Sequence, residues 1–155
     1  MRKATRTIVS ALCLTLSGCY FVSYEDVSEK APFSDYVGKE YTSTGKVVVD
    51  RVSLDPNYKA DPSVYIIYAF PGLAKGPEFL SRSVLPQGTT IRALKVMRCT
   101  NCYLDFEERV HLVVKITSSG DFQDTEVQVS TKLIGSVFVE TDAASKPDHR
   151  TPDPL

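Results

Sequence analysis

The chain has 155 residues, with 18 basic and 19 acidic side chains and a formal charge of −1. That length allows one domain with a real core. The near-neutral balance, with no block of like charge, argues against nucleic-acid binding and against electrostatic docking on anionic lipid.

In chain order, Arg2, Lys3 and Arg6 form a basic start with no acid to offset them, and Ile8–Leu16 is an apolar run broken by Ser10 and Thr15. A bilayer core needs about 20 consecutive apolar residues, so the run is too short to span one and reads as a secretory signal. It ends in Leu16-Ser17-Gly18-Cys19: an apolar residue, two small residues and a cysteine. Cys13 lies inside the apolar run and lacks such neighbours.

Leu16–Cys19 resembles the lipobox of bacterial lipoproteins. The resemblance implies cleavage before Cys19, a diacylglycerol on its thiol and often an acyl chain, such as palmitate, on the new amine. Each buried CH₂ contributes about 0.8 kcal/mol, so two or three chains hold persistently where one holds weakly. Tyr20 follows the cysteine. The aspartate that retains enteric lipoproteins at the inner membrane is therefore missing, and the sorting pattern implies the periplasmic face of the outer membrane. Removing residues 1–18 would take away Arg2, Lys3 and Arg6 and no acid, moving the formal charge from −1 to −4.

Residues 19–35 are expected to form a lipidated tether with local structure, since Tyr24, Val27 and Ala31 fall at helical spacing before Pro32. Residues 36–140 read as a β-rich domain. KVVVDRV (46–52) is β-branched, and SVYIIYAF (63–70) carries apolar groups on both faces, as a central or covered strand does. Between them DPNYKADP supplies turn residues. Pro77 suits a first helical position, and Phe79, Leu80, Ser83 and Val84 form a small-to-apolar stripe, so one short helix is expected over Pro77–Val84. Strands are expected over 89–98, over 109–117, where Val110, Leu112, Val114 and Ile116 share one face, over 126–130 and over 136–140. About six short strands and one helix predict an all-β fold, a small antiparallel barrel or sandwich. LPQGTTIRALKV (85–96) is similar to the turn-then-strand of bacterial SH3-like barrels, over about a dozen residues of a pattern common in all-β proteins. Residues 141–155, with three prolines and no large apolar residue before Leu155, are expected to be a disordered tail.

Cys99-Thr100-Asn101-Cys102 carries the chemistry in the expected domain. A β-turn centred on Thr100-Asn101 would bring the flanking Cα atoms into disulfide range, and an oxidising compartment favours the bond. A redox-active pair would need a helix N-terminus to activate the thiol, whereas the chain soon turns to strand alternation. A zinc site would need two further ligands. His149 lies in the expected tail, and with the turn at Thr100-Asn101 His111 would stand roughly 30 Å up the return strand, a distance that a loop extending to Glu108 would shorten. The structural disulfide is favoured, and neither a metal nor a cofactor is expected.

No nucleophile elbow, zinc-protease helix or phosphate loop occurs. Glu107-Glu108 and Asp121 with Asp124 read as solvated turn carboxylates, and His111 as an ordinary half-exposed histidine. The expected function is a non-catalytic, lipid-anchored envelope protein, an accessory or binding module for an envelope protein partner. The alternative is an inhibitor or immunity protein against a cell-wall hydrolase, for which the acidic charge would suit a basic target. A thiol oxidoreductase is a third reading. Tyr41, Tyr65 and Tyr68 are candidate positions for an aromatic contact surface, with core packing the competing role.

Overall fold

A computed structural model of the chain describes residues 22–72, 75–102, 109–118 and 120–141. The expected leader 1–18, with Cys13, and Cys19 lie outside these residues, as do Glu107-Glu108, His149 and the expected tail beyond Thr141. In chain order the strands are β1 (Tyr24–Asp26), β2 (Glu40–Ser43), β3 (Val47–Ser53), β4 (Ser63–Ala69), β5 (Phe79–Leu85), β6 (Thr90–Cys99), β7 (Val110–Ile116), β8 (Glu126–Ser130) and β9 (Phe138–Glu140). Short 3-10 turns occupy Phe33–Asp35 and Thr131–Leu133.

The Val47-Val48-Val49 triplet starts β3. β-Branched side chains are stiff at χ1 and suit a pleated, covered surface. All three valines are buried, and β3 pairs antiparallel on both edges, with β4 and β5. Strand β4 lies between β3 and β8, as its two apolar faces predict. Its pairing with β8 is parallel, at Ile66↔Gln128 and Ile67↔Val129. Strands β6, β7 and β8 then form an antiparallel meander. The free edge of β6 is shared end to end, β2 pairing at Thr90–Arg92 and β1 at Met97–Cys99.

The resulting order is β5-β3-β4-β8-β7-β6-β2-β9, with β1 beside β6. Strand spacing explains why the sheet rolls. Strands β5 and β6 stand five steps apart in the order, roughly 24 Å in a flat sheet. Pro86–Thr89 is the whole connection between them, and five Cα steps reach at most about 18 Å. The sheet must curl to bring these strands within reach. It wraps one core in which Val47, Val49 and Ile67 from one part of the order meet Ile91, Leu112, Val114, Val129 and Phe138 from the other. The terminal strands β5 and β9 do not pair. The expected all-β class holds, as a single nine-stranded sheet rolled around its core without closing.

Two local expectations are corrected. Pro77–Val84 is not a helix: Phe79–Leu85 is the strand β5. A β-bulge at Leu80, where Arg51 pairs with Ser81 and Val52 with Phe79, interrupts the alternation. The tether expected over residues 19–35 is engaged by the sheet well before residue 36. Tyr24–Asp26 is a strand, and Val27 is fully buried in the core.

Candidate functional site

The Cys99–Cys102 segment and β1 form one unit. Cys99 is the last residue of β6 and Tyr24 is its cross-strand partner. Cys99 and Cys102 are joined by a disulfide with Cα atoms 5.8 Å apart. The closed loop directs two groups at Ser23. The Thr100 amide and hydroxyl donate to the Ser23 carbonyl at 2.9 and 3.2 Å, and the Ser23 amide donates to Asn101 Oδ1 at 2.8 Å.

Four further ties continue along β1 from this latch. The Tyr24 and His111 rings meet edge to face with centroids 4.8 Å apart. Arg98 donates through both Nε and Nη2 to Glu25 Oε1, and Lys30 stands 3.5 Å from the other carboxylate oxygen. The hydrogen bond from Arg98 holds the Glu25 carboxyl below its ordinary pKa. The Val27 amide donates to the Val96 carbonyl, and the Val96 amide donates to Ser28 Oγ, both at 2.9 Å. Ser28 in turn donates to Asp26, which keeps that carboxyl below its ordinary pKa.

The disulfide does not pin a tight hairpin. The Cys99 amide donates to the Arg109 carbonyl at 3.0 Å, and β7 begins at Val110, so the partner of Cys99 across the strands is Arg109 and not Cys102. His111 faces Met97, two residues from Cys99, and is therefore near the pair rather than 30 Å away. Burial pushes its pKa down, favouring the neutral imidazole. Cys99 ends a strand, and among the described residues no helix begins at the pair to lower its thiol pKa as in a thioredoxin-like site. Among the described residues, no group of three or more His, Cys, Asp and Glu side chains could hold a metal ion.

The tyrosines do not form a surface. Tyr41 is 3% exposed, Tyr65 packs edge-on against Phe122 at 5.8 Å, and Tyr68 is half-buried. Burial raises the pKa of both Tyr41 and Tyr68. Asp121 and Asp124 lie in the β7–β8 turn, where Asp124 stands 3.4 Å from Lys115.

Two features escaped sequence reasoning. On the face of β3 opposite the main core, Asp50 is 4% exposed and takes a two-pronged contact from Arg82, Nε to Oδ1 at 2.7 Å and Nη2 to Oδ2 at 2.6 Å. Arg82 also donates to the Pro71 carbonyl at 3.2 Å and lies over the Phe79 ring. Gly72, at φ +88°, passes so close that a Cβ would fall 2.8 Å from Val48 and 2.9 Å from Arg82. The second feature is a cleft of about 470 Å³ between the β5–β6 and β7–β8 turns, with Leu85, Gln87, Ile116, Asp121 and Phe122 on its walls. Nothing local marks either one: Glu78 stands nearer to Arg82 in sequence than its actual partner Asp50, 32 positions away, does.

No protein-family model, curated protein or solved structure matches this chain. Among the described residues, no helix is long and apolar enough to cross a membrane.

Proposed function

We propose that the protein is a non-catalytic, lipid-anchored component of the cell envelope. Acyl chains on Cys19 would hold it at the periplasmic face of the outer membrane, where it presents the β-sheet domain to an envelope protein partner. The observation that carries this reading is the closeness of lipobox and fold. The disulfide loop takes hold of the chain at Ser23, four residues after the cysteine that ends Leu16-Ser17-Gly18-Cys19. A domain whose described residues begin after the expected cleavage point is compatible with removal of residues 1–18.

The charged groups support the non-catalytic part. Glu25, Glu40, Asp50, Asp61 and Glu140 are each spent on an arginine or lysine within the fold. Among the described residues, the two carboxyls with shifted pKa values, Glu25 and Asp26, shift downward, away from the raised values that suit a general acid.

Fractionation of a Cys19→Ser variant tests the anchor. The wild-type protein should remain with membranes after a high-salt wash, and the variant should be released while its domain stays folded. A variant that stays with the membrane would refute the anchor. Crosslinking in intact envelopes then identifies the partner: an assembly or transport complex supports the accessory role, and a cell-wall hydrolase replaces it with the inhibitor reading.

A further inference from the structure

We infer that the latch end of β6 and β7 is the face the domain turns toward the lipid bilayer, so that the cleft between the β5–β6 and β7–β8 turns points away from it. The inference rests on acylation of Cys19. Given that anchor, geometry sets the orientation. The chain from Cys19 to Ser23 reaches at most ~14 Å even when fully extended, whereas a free seventeen-residue tether would reach about 60 Å. The short span cannot lengthen cheaply. Releasing more chain means breaking the Ser23 hydrogen bonds to Thr100 and Asn101, then the Tyr24–His111 contact, then the Arg98–Glu25 pair, and finally extracting Val27 from the core.

The occupant of this face is the headgroup layer itself. Val22 and Tyr24 stand 48% and 40% exposed at this end, and a tyrosine with an apolar body and a polar tip suits the interface between headgroups and acyl chains. Along β6, nine residue steps from Cys99 to Thr90 amount to roughly 30 Å. The Pro86–Thr89 connection, including Gln87 on the cleft wall, therefore sits at the far end of the strand whose near end holds the anchor. Tether length sets this orientation, so it should survive high salt and uncharged lipid.

The test uses the full lipidated chain purified from membranes, carrying a fluorophore on Lys132→Cys or on Gln87→Cys. Lys132 lies beside the start of β7, where Thr131 bonds to the Val110 carbonyl, and both positions are exposed. The protein is reconstituted in zwitterionic vesicles whose headgroups carry a nitroxide quencher. Co-flotation with the vesicles reports anchoring, and quenching reports proximity. We expect severalfold stronger quenching at position 132 than at 87, and loss of the difference, with flotation intact, when a long Gly-Ser insert follows Tyr20. Flotation with equal quenching, or stronger quenching at 87, would overturn the orientation and leave the anchor standing. Failure to float would overturn both.

Discussion

The Ser23 amide donates to the Asn101 carboxamide oxygen at 2.8 Å across 78 positions of sequence. The bond joins the first engaged residue of the domain to the loop closed by Cys99 and Cys102, and makes the start of the fold depend on the end of β6. Replacing Asn101 with alanine should cost about 0.5–1.5 kcal/mol, the usual net worth of one such bond. The loss should be local: amide exchange should accelerate at Ser23–Asp26 and stay unchanged in β3.

The disulfide should show the same locality with a larger effect. A loop this small removes little chain entropy, about 2 kcal/mol in the loop-closure model. The double variant Cys99→Ser/Cys102→Ser should therefore unfold at lower denaturant, with an unchanged denaturant slope, and should lose protection first in β1. An unchanged β1 exchange rate would show that the latch does not depend on the bond.

Val22 and Val27 flank β1 and should respond oppositely. Val27 is fully buried, so Val27→Ala should cost roughly 2 kcal/mol or more through lost transfer energy and the cavity left behind. Val22 is exposed, and Val22→Ala should stay within about 0.5 kcal/mol. Equilibrium denaturation of the two variants distinguishes an integral segment from a tether.

Arg82→Ala should leave the Asp50 carboxylate buried without its arginine, at a cost of roughly 3–5 kcal/mol. Replacing both, as Asp50→Leu with Arg82→Met, should recover much of that loss, because the penalty comes from the stranded charge. Thermal unfolding of the single and double variants measures the coupling.

His111 gives a pH dependence of known sign. Its folded pKa lies below the ordinary histidine value because of burial. The unfolded state therefore binds the proton first as pH falls. Stability from the neutral ring should be complete above about pH 6.5 and decline as pH drops from there to the folded value. Urea midpoints between neutral and mildly acidic pH should show the decline, and His111→Phe should flatten that part of it while keeping a ring against Tyr24.

How far the sequence predicts this arrangement depends on how local each signal is. The alternation of Val110, Leu112, Val114 and Ile116 located β7 because one face is covered and the other is not. The valine triplet located β3 for a different reason: β-branched side chains suit a strand covered on both faces, and all three are buried. Phe79–Leu85 carried no such signal: it is a sheet-edge strand with serines on one face and a bulge at Leu80, so its apolar residues fell at helical spacing by coincidence. Tyr24–Asp26 is too short to have a period, and its conformation is imposed by β6, some seventy residues away. The cysteine pairing was legible from the spacing together with the expected oxidising compartment and the absence of a helix signal or further ligands around it. Its surroundings were not, because they depend on where β7 pairs with β6: a partner for Cys99 at Arg109, and not at Cys102, brings His111 and Tyr24 beside the disulfide.

The parallel contact between β4 and β8 has a consequence for how the molecule is made. As a nascent or exported chain emerges from its N-terminus, β3, β4 and β5 can pair at once through adjacent segments. The second edge of β4, with Ile66 and Ile67, has no partner until Glu126–Ser130 arrives. During that interval an unprotected β-ribbon offers its hydrogen-bonding edge to any neighbouring chain. Self-association of a fragment ending before β8 would be the signature of that vulnerability. The intact protein suppresses it by filling the gap with its own late-arriving strand.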